Sequence, residues 1–241
     1  MIYISLPGTK TRKLSFYLAM EEYVARQNYA ADSFFMWQVK PSVIIGRNQD
    51  IYSEVNLDFC KENGIQVFRR RSGGGCVYAD MTNVMFSYIT QKENVSTTFT
   101  YYLCRIVEML RKMGIKATSS MNNDIMIGDR KVSGNAFYHI PGHSIVHGTM
   151  LYDTNMDFMM GSITPSRAKL ESHAVKSVMQ RITLLKEHTD KTLPEFMNFA
   201  KRELGDSEIT LTIEDVKDIE EIEKRYTDEI FIYGTKKQEN I

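Results

Sequence analysis

An excess of charge of either sign is missing from this sequence: 30 lysines and arginines stand against 30 aspartates and glutamates over 241 residues. A balanced chain has no global attraction to nucleic acid or to an anionic membrane, so any phosphate it binds must be held by a local patch. Cysteine is also sparse. Cys60, Cys76 and Cys104 lie far apart with no CxxC pair, which argues against a zinc site and a disulfide framework and fits a reducing, cytoplasmic setting. About 18 consecutive apolar residues are nowhere found, and the short apolar start, Met1 to Ser5, has neither a basic region before it nor a cleavage site behind it; no secretion signal or membrane span is expected. No internal repeat and no low-complexity tract interrupts the chain, whose length allows a sizeable core. It reads as one α/β or α+β domain spanning 1–241.

What is present is concentrated in one stretch, Arg69-Arg70-Arg71-Ser72-Gly73-Gly74-Gly75-Cys76-Val77-Tyr78. Three residues without Cβ let the main chain approach a ligand and offer N–H donors, and neighbouring guanidiniums supply fixed charge for a phosphate or carboxylate. By itself the stretch reads equally well as a hairpin turn beside a solvated arginine cluster.

Around it the periodicity predicts strands at 1–5, 33–39, 42–45 and 65–68, and a helix over 13–27 whose adjacent Glu21 and Glu22 read as solvated side chains pointing about 100° apart. Asn56 is placed to cap a short helix at 57–63, strands follow at 77–78 and 83–90, and Val84, Phe86 and Tyr88 share one face. A helix is predicted from Ser96 to about Met113. Strands at 115–118, 124–127, 131–138 and 144–152 form an antiparallel set with a Gly128-Asp129 turn of uncertain register. Residues 155–186 lack clear periodicity and read as a long functional loop. A helix at 193–204, a strand at 208–211 and a Thr212-capped helix at 213–226 complete the reading.

Groups suited to acyl and phosphoryl chemistry gather in a few segments. Gly46-Arg47-Asn48-Gln49 places donors at a strand end, and Asp124 beside Asn123 could hold a magnesium ion through oxygen or cap a turn. Lys131, at the start of a predicted strand, must face a cleft or solvent, because a buried lysine needs a partner. In a cleft its ammonium would offset the repulsion between two anions and the charge of a transition state. His147 reads either as a base or as a hydrogen-bonded core histidine, with the core reading preferred.

Taken together, Arg70-Arg71-Ser72-Gly73-Gly74-Gly75, Asn123-Asp124-Ile125, Asp129-Arg130-Lys131-Val132-Ser133-Gly134-Asn135-Ala136, His147-Gly148-Thr149-Met150-Leu151 and the run from Lys176-Ser177-Val178 to Arg181-Ile182-Thr183 resemble the lipoate-protein ligases. The resemblance implies an α+β fold of mixed, mostly antiparallel sheets flanked by helices, shared with biotin ligases. It implies activation of lipoate with magnesium ATP to lipoyl-AMP, then transfer to a lysine of a lipoyl domain, carried by 2-oxoacid dehydrogenase acyltransferases or the glycine cleavage H protein. Lys131 would bridge the lipoate carboxylate and the α-phosphate. Lipoate and ATP contacts would fall on Arg47, Arg70, Arg71, Ser72, Gly73, Gly74, Gly75, Cys76, Val77, Tyr78, Asn83, Asp124, Ser133, Gly134, Ala136, His147, Gly148 and Thr149, with Lys176, Val178 and Arg181 in a loop that closes on the adenylate. Val77, Tyr78 and Phe86 are the candidates for an apolar acyl slot.

The chain departs from the family pattern at Cys76, usually alanine, and at Ala79, often histidine. A small C-terminal accessory domain of the larger enzymes has no counterpart here, which implies a separately encoded partner for activation or a shortened chain. The nearest rival is an octanoyl or lipoyl transferase of the same fold that uses a cysteine thioester. Its cysteine positions read Ser119-Ser120-Met121 and Thr164-Pro165-Ser166, without a thiol. A biotin ligase lacks support in the form of the glycine loop, and a non-catalytic binder of lipoyl domains would have no use for Lys131.

Overall fold

The computed structural model of the chain describes residues 1–121, 123–163 and 181–234. Its frame is an eight-stranded sheet in the order β11-β1-β2-β6-β10-β9-β8-β7, made of β1 (Ile2–Ser5), β2 (Ser33–Trp37), β6 (Val84–Thr90), β7 (Ala117–Ser119), β8 (Asp124–Ile127), β9 (Arg130–Ile140), β10 (His143–Met150) and β11 (Ser207–Thr210). Only β1 pairs in parallel, with β2 and β11; the rest of the sheet is antiparallel. A second sheet of three strands sets β3 (Ser42–Ile45) between β4 (Gln66–Arg69), in parallel, and β5 (Val77–Ala79), antiparallel.

Period-two alternation decides which side of the large sheet each residue covers. Phe34, Met36, Val84, Phe86, Tyr88, Val146 and Met150 pack under α4 (Val95–Lys112) and α6 (Leu193–Leu204). Their neighbours Phe35, Trp37, Met85, Ile89 and Ile145 pack instead with α1 (Leu14–Arg26), the small sheet, α7 (Ile213–Tyr226) and α8 (Glu229–Tyr233). The result is an α+β domain in which α1 is covered on every side: each residue from Leu14 to Ala25 is buried. A helix buried all round must satisfy its polar side chains internally.

That requirement overturns the expectation for Glu21 and Glu22, which are both fully buried rather than solvated. Apart from Arg26, one turn along the same helix from Glu22, their partners come from β6, β9, β10, the glycine loop and α7, all more than 40 residues away in sequence, so local sequence does not signal the burial. Of the region 155–186 read as a long loop, residues 164–180 lie outside the described residues, and its start is helical. Besides α2 (Ile51–Glu54) and α3 (Leu57–Glu62), a helix α5 (Met156–Ser162) forms, its N-terminus capped by the Asn155 side chain and its face set against α3, where Phe59 and Phe158 meet edge to face. The Gly128 turn, with φ of 62°, closes the β8–β9 hairpin, and the uncertain register proves to be a bulge between Ile125 and Met126. Among the described residues no helix is long and apolar enough to cross a membrane.

Candidate active site

A cavity of about 310 Å³ opens between α1, the small sheet and the strands β6, β10, β9 and β8. Sheet order sorts its lining by chemistry. Leu18 from α1, Trp37 from β2, Ile44 from β3, Val77 from β5 and Met85 from β6 make the apolar side, whereas Asp124 on β8 and Lys131 on β9 stand at the far side of the strand order. Their charged ends meet, Lys131 Nζ lying 2.8 Å from Asp124 Oδ1. Both are only partly exposed, so the ammonium is held in place rather than free in solvent. The carbonyl of Lys131 accepts from the Thr183 N–H at 2.9 Å, which docks the chain just beyond residues 164–180 against the same strand position.

The arginine and glycine stretch is built differently from a solvated cluster. Arg70 is 5% exposed, and its guanidinium donates to the carbonyls of Ile44, Gly73 and Gly75 and to Ser72 Oγ at 2.7 to 3.1 Å. Burial pulls its pKa down to about 10, with Cys76 and Glu21 acting in the opposite sense. One buried cation thus shapes the loop from within while lining the cavity. Arg69 fastens the neighbouring turn, donating to the carbonyls of Gly46, Arg47 and Gln49. Beneath the loop runs a buried polar chain: Ser72 Oγ pairs with His147 Nε2 at 2.7 Å, and His147 Nδ1 lies 2.9 Å from each oxygen of Glu21. Glu21 also accepts from Ser87, which itself takes the Trp37 indole N–H, and from Tyr138. Burial first, and then the Glu21 charge, hold the Tyr138 phenol well above its ordinary pKa.

Of the residues singled out from sequence, Arg70, Gly74, Gly75, Cys76, Val77, Asp124, Lys131, Gly134, Ala136, His147, Gly148 and Thr149 line this cavity. Ser72 and Ser133 are buried behind it. Tyr78 points into the core on the other side of its strand from Val77, and Phe86 belongs to the cluster under α4, so of the three residues proposed for an acyl slot only Val77 faces the cavity. Asn83 lies at a turn, where its Oδ1 accepts from Thr154 at 2.7 Å. Arg47, Gly73 and Arg181 are exposed and Arg71 turns toward Glu22, none of them lining the cavity. Lys176 and Val178 lie outside the described residues. Leu18, Trp37, Ile44, Met85 and Asn135 line the cavity without having been singled out. For Met85 a signal existed: it alternates with Val84, Phe86 and Tyr88 and therefore had to face the opposite side.

Cys76 lines the cavity, but burial, ahead of the opposing Arg70 charge, pushes its thiol up to about 12. Cys60 is buried and pushed up to about 11, and only Cys104 is exposed. A thiol with a raised pKa stays protonated at neutral pH and is a poor nucleophile. Native protein treated with iodoacetamide at pH 8 is therefore expected to carry its alkylation on Cys104, with Cys60 and Cys76 slower by about tenfold or more, read by peptide mass spectrometry.

The fold and the cavity together define an α+β domain with a pocket that is apolar on one side and carries a Lys–Asp pair on the other, and comparison with known proteins gives its family. The family model described as the lipoyl protein ligase A/B catalytic domain matches residues 13–205. The lipoate-protein ligase LplJ of Bacillus subtilis is 34% identical over 236 residues, which cover 93% of this chain and 71% of that protein. The chain spans 65% and 51% of the length of two further curated relatives. Among solved structures, that of a bi-partite lipoate protein ligase from Thermoplasma acidophilum corresponds over 100% of both chains with a TM-score of 0.86 and 26% identity. A lipoate-protein ligase A bound with ATP corresponds over 97% of this chain and 98% of its own, with a TM-score of 0.83 and 26% identity. The chain belongs to the lipoyl protein ligase A/B catalytic-domain family and, within it, to the lipoate-protein ligases.

Proposed function

We propose that this chain joins lipoate to ATP, forming lipoyl-AMP, and passes the lipoyl group to a lysine of a lipoyl domain, at the cavity bounded by Lys131 and Asp124. The observation that carries the reading is one ammonium, held 2.8 Å from a carboxylate, at the edge of a cavity whose opposite side is apolar. Such a slot seats an aliphatic acid by its chain and leaves the carboxylate beside the cation.

In the first step a lipoate carboxylate oxygen attacks the α-phosphorus, the bond to pyrophosphate breaks, and a mixed anhydride forms. In the second, the acceptor amine attacks the anhydride carbonyl and AMP leaves with the electrons of the broken C–O bond. Lys131 serves both steps electrostatically, because its charge lies where negative charge builds on phosphorus and then on the tetrahedral carbon. Asp124 fixes the direction of that ammonium. The glycine loop, pinned by Arg70, shields the anhydride side of the cavity, and no nucleophile of the protein is needed, which agrees with a protonated Cys76.

A magnesium ion, when bound with the nucleotide, would supply charge neutralisation on the leaving pyrophosphate. Among the described residues no group of three or more His, Cys, Asp or Glu side chains could hold a metal, and Asp124 is the one carboxylate lining the cavity. That donor set fits a magnesium ion carried by nucleotide phosphates and water with a single protein carboxylate. Acceptor lipoyl domains are the protein partners in this reading, and the cytoplasm its setting. A separate accessory subunit is supported by the likeness to the archaeal ligase described as bi-partite.

Pyrophosphate release from ATP tests the first step. Release that requires lipoate supports the ligase reading. Transfer from supplied lipoyl adenylate without such release assigns activation to an added subunit, and failure of both rejects the reading.

A further inference from the structure

The cavity accounts for Glu21, but not for its neighbour. Glu22 is fully buried and lies off the cavity lining, yet it gathers more cations than any other carboxylate among the described residues. Its Oε2 meets Arg71 at 3.0 Å, Arg26 at 3.2 Å and Arg225 at 3.3 Å, while Oε1 accepts from the Tyr226 hydroxyl. Arg71 leads directly into Ser72 and the glycine loop, and Arg225 and Tyr226 end α7. Arg71 is also held over the Tyr138 ring, 5.9 Å from its centroid. A second tie runs beside the first: Arg69 Nε donates to the Ile232 carbonyl of α8 at 2.9 Å, while Arg69 Nη1 holds the 46–49 turn.

Of the two arginines that flank Arg70, Arg69 is thus bound to α8 directly, and Arg71 is bound to Glu22 of α1, which also holds the end of α7. A buried carboxylate is costly unless paired, and here pairing requires three elements at once, α1, the loop stem and α7. Loss of any one weakens the pairing of that buried charge beneath the loop.

We propose that Glu22 is a positioning residue that sets the glycine loop through Arg71 and couples its placement to α7, beside the tie that Arg69 makes to α8. Arg71 then acts from behind the loop and not by touching substrate. The C-terminal helices become part of the site's support, and whatever binds or displaces them changes the loop. This rests on the ligase reading for its kinetic arm only.

The test compares Tyr226→Phe, Arg225→Gln, Arg71→Gln and Glu22→Gln with Arg26→Ala, whose cation reaches the same oxygen from α1 itself. The first three leave the buried carboxylate in place and so keep the test open if Glu22→Gln fails to fold. KM for lipoate in lipoate-dependent pyrophosphate release is expected to rise about fivefold in the loop and α7 variants with kcat within about twofold, and to stay at the wild-type value in Arg26→Ala. Independently of activity, the amides of Arg47 and Arg70, bonded to Ser72 and Ile45 at the base of the loop, are expected to exchange hydrogen about tenfold faster in Tyr226→Phe and Arg71→Gln. Variants that lose thermal stability while KM and exchange at Arg47 and Arg70 stay unchanged would overturn the proposal. Absence of lipoate-dependent release in the wild type would reject the ligase reading, and the exchange measurement would still decide the coupling.

Discussion

Lys131→Ala is expected to lower lipoate-dependent pyrophosphate release by roughly 10²–10³-fold, the usual cost of removing one preorganised charge from a developing anion. The fold should tolerate the change. Lys131 is partly exposed and its backbone bonds, including the one that accepts from Thr183, do not involve the side chain. The loss should therefore appear in kcat/KM with a melting temperature close to that of the wild type. Because the same cation faces both steps, transfer from supplied lipoyl adenylate should also fall, by about tenfold or more. Asp124→Asn is the informative companion: it keeps the shape and leaves the ammonium without its fixed partner, so a smaller loss is expected. Release unchanged in Lys131→Ala would remove the lysine from the chemistry.

Gly46→Ala is expected to be the most damaging single-methyl change near the site. A Cβ at position 46 would lie 2.1 Å from the carbonyl oxygen of Gly74 and 3.1 Å from its carbon, both backbone atoms that no rotamer change can clear. The contact exists because the 46–49 turn and the glycine loop are set back to back, with the Arg47 N–H donating to Ser72 O at 2.9 Å and Arg69 clamping the turn from beneath. Relief must therefore come from displacing Gly74, which lines the cavity. Overpacking of this kind costs about 1–3 kcal/mol, so denaturant melts should show that destabilisation together with at least about a tenfold loss of activity. A normal melt with normal activity would mean that the two loops are not in contact.

Much of this architecture was readable in the sequence, and the reason is local. The alternation of Val84, Phe86 and Tyr88, the Gly128-Asp129 hairpin and the Thr212 cap are short-range signals, and each marks its element in the structure. The cavity was partly readable for the same reason, since Lys131, Gly134 and Ala136 sit on one strand and His147 to Thr149 on its neighbour. What stayed hidden is long-range. Two adjacent glutamates on a helix look solvated unless one knows that His147, Arg71, Arg225 and Tyr226 arrive from distant elements to pair with them. The arginine run misleads in the same way, because three guanidiniums before a glycine loop suggest a ligand, whereas Arg69 and Arg70 bind the chain's own carbonyls. Leu18, Trp37 and Ile44 carry no signal beyond being apolar, and only the packing of α1 between two sheets makes them a cavity wall.

The most direct test is the intact mass of an acceptor lipoyl domain after incubation with this protein, lipoate and magnesium ATP, with a parallel sample given lipoyl adenylate in place of both substrates. The account predicts one added lipoyl group on a single lysine in the adenylate sample, and in the ATP sample either directly or once an accessory subunit is supplied. An acceptor that stays unmodified in every one of these samples would contradict it.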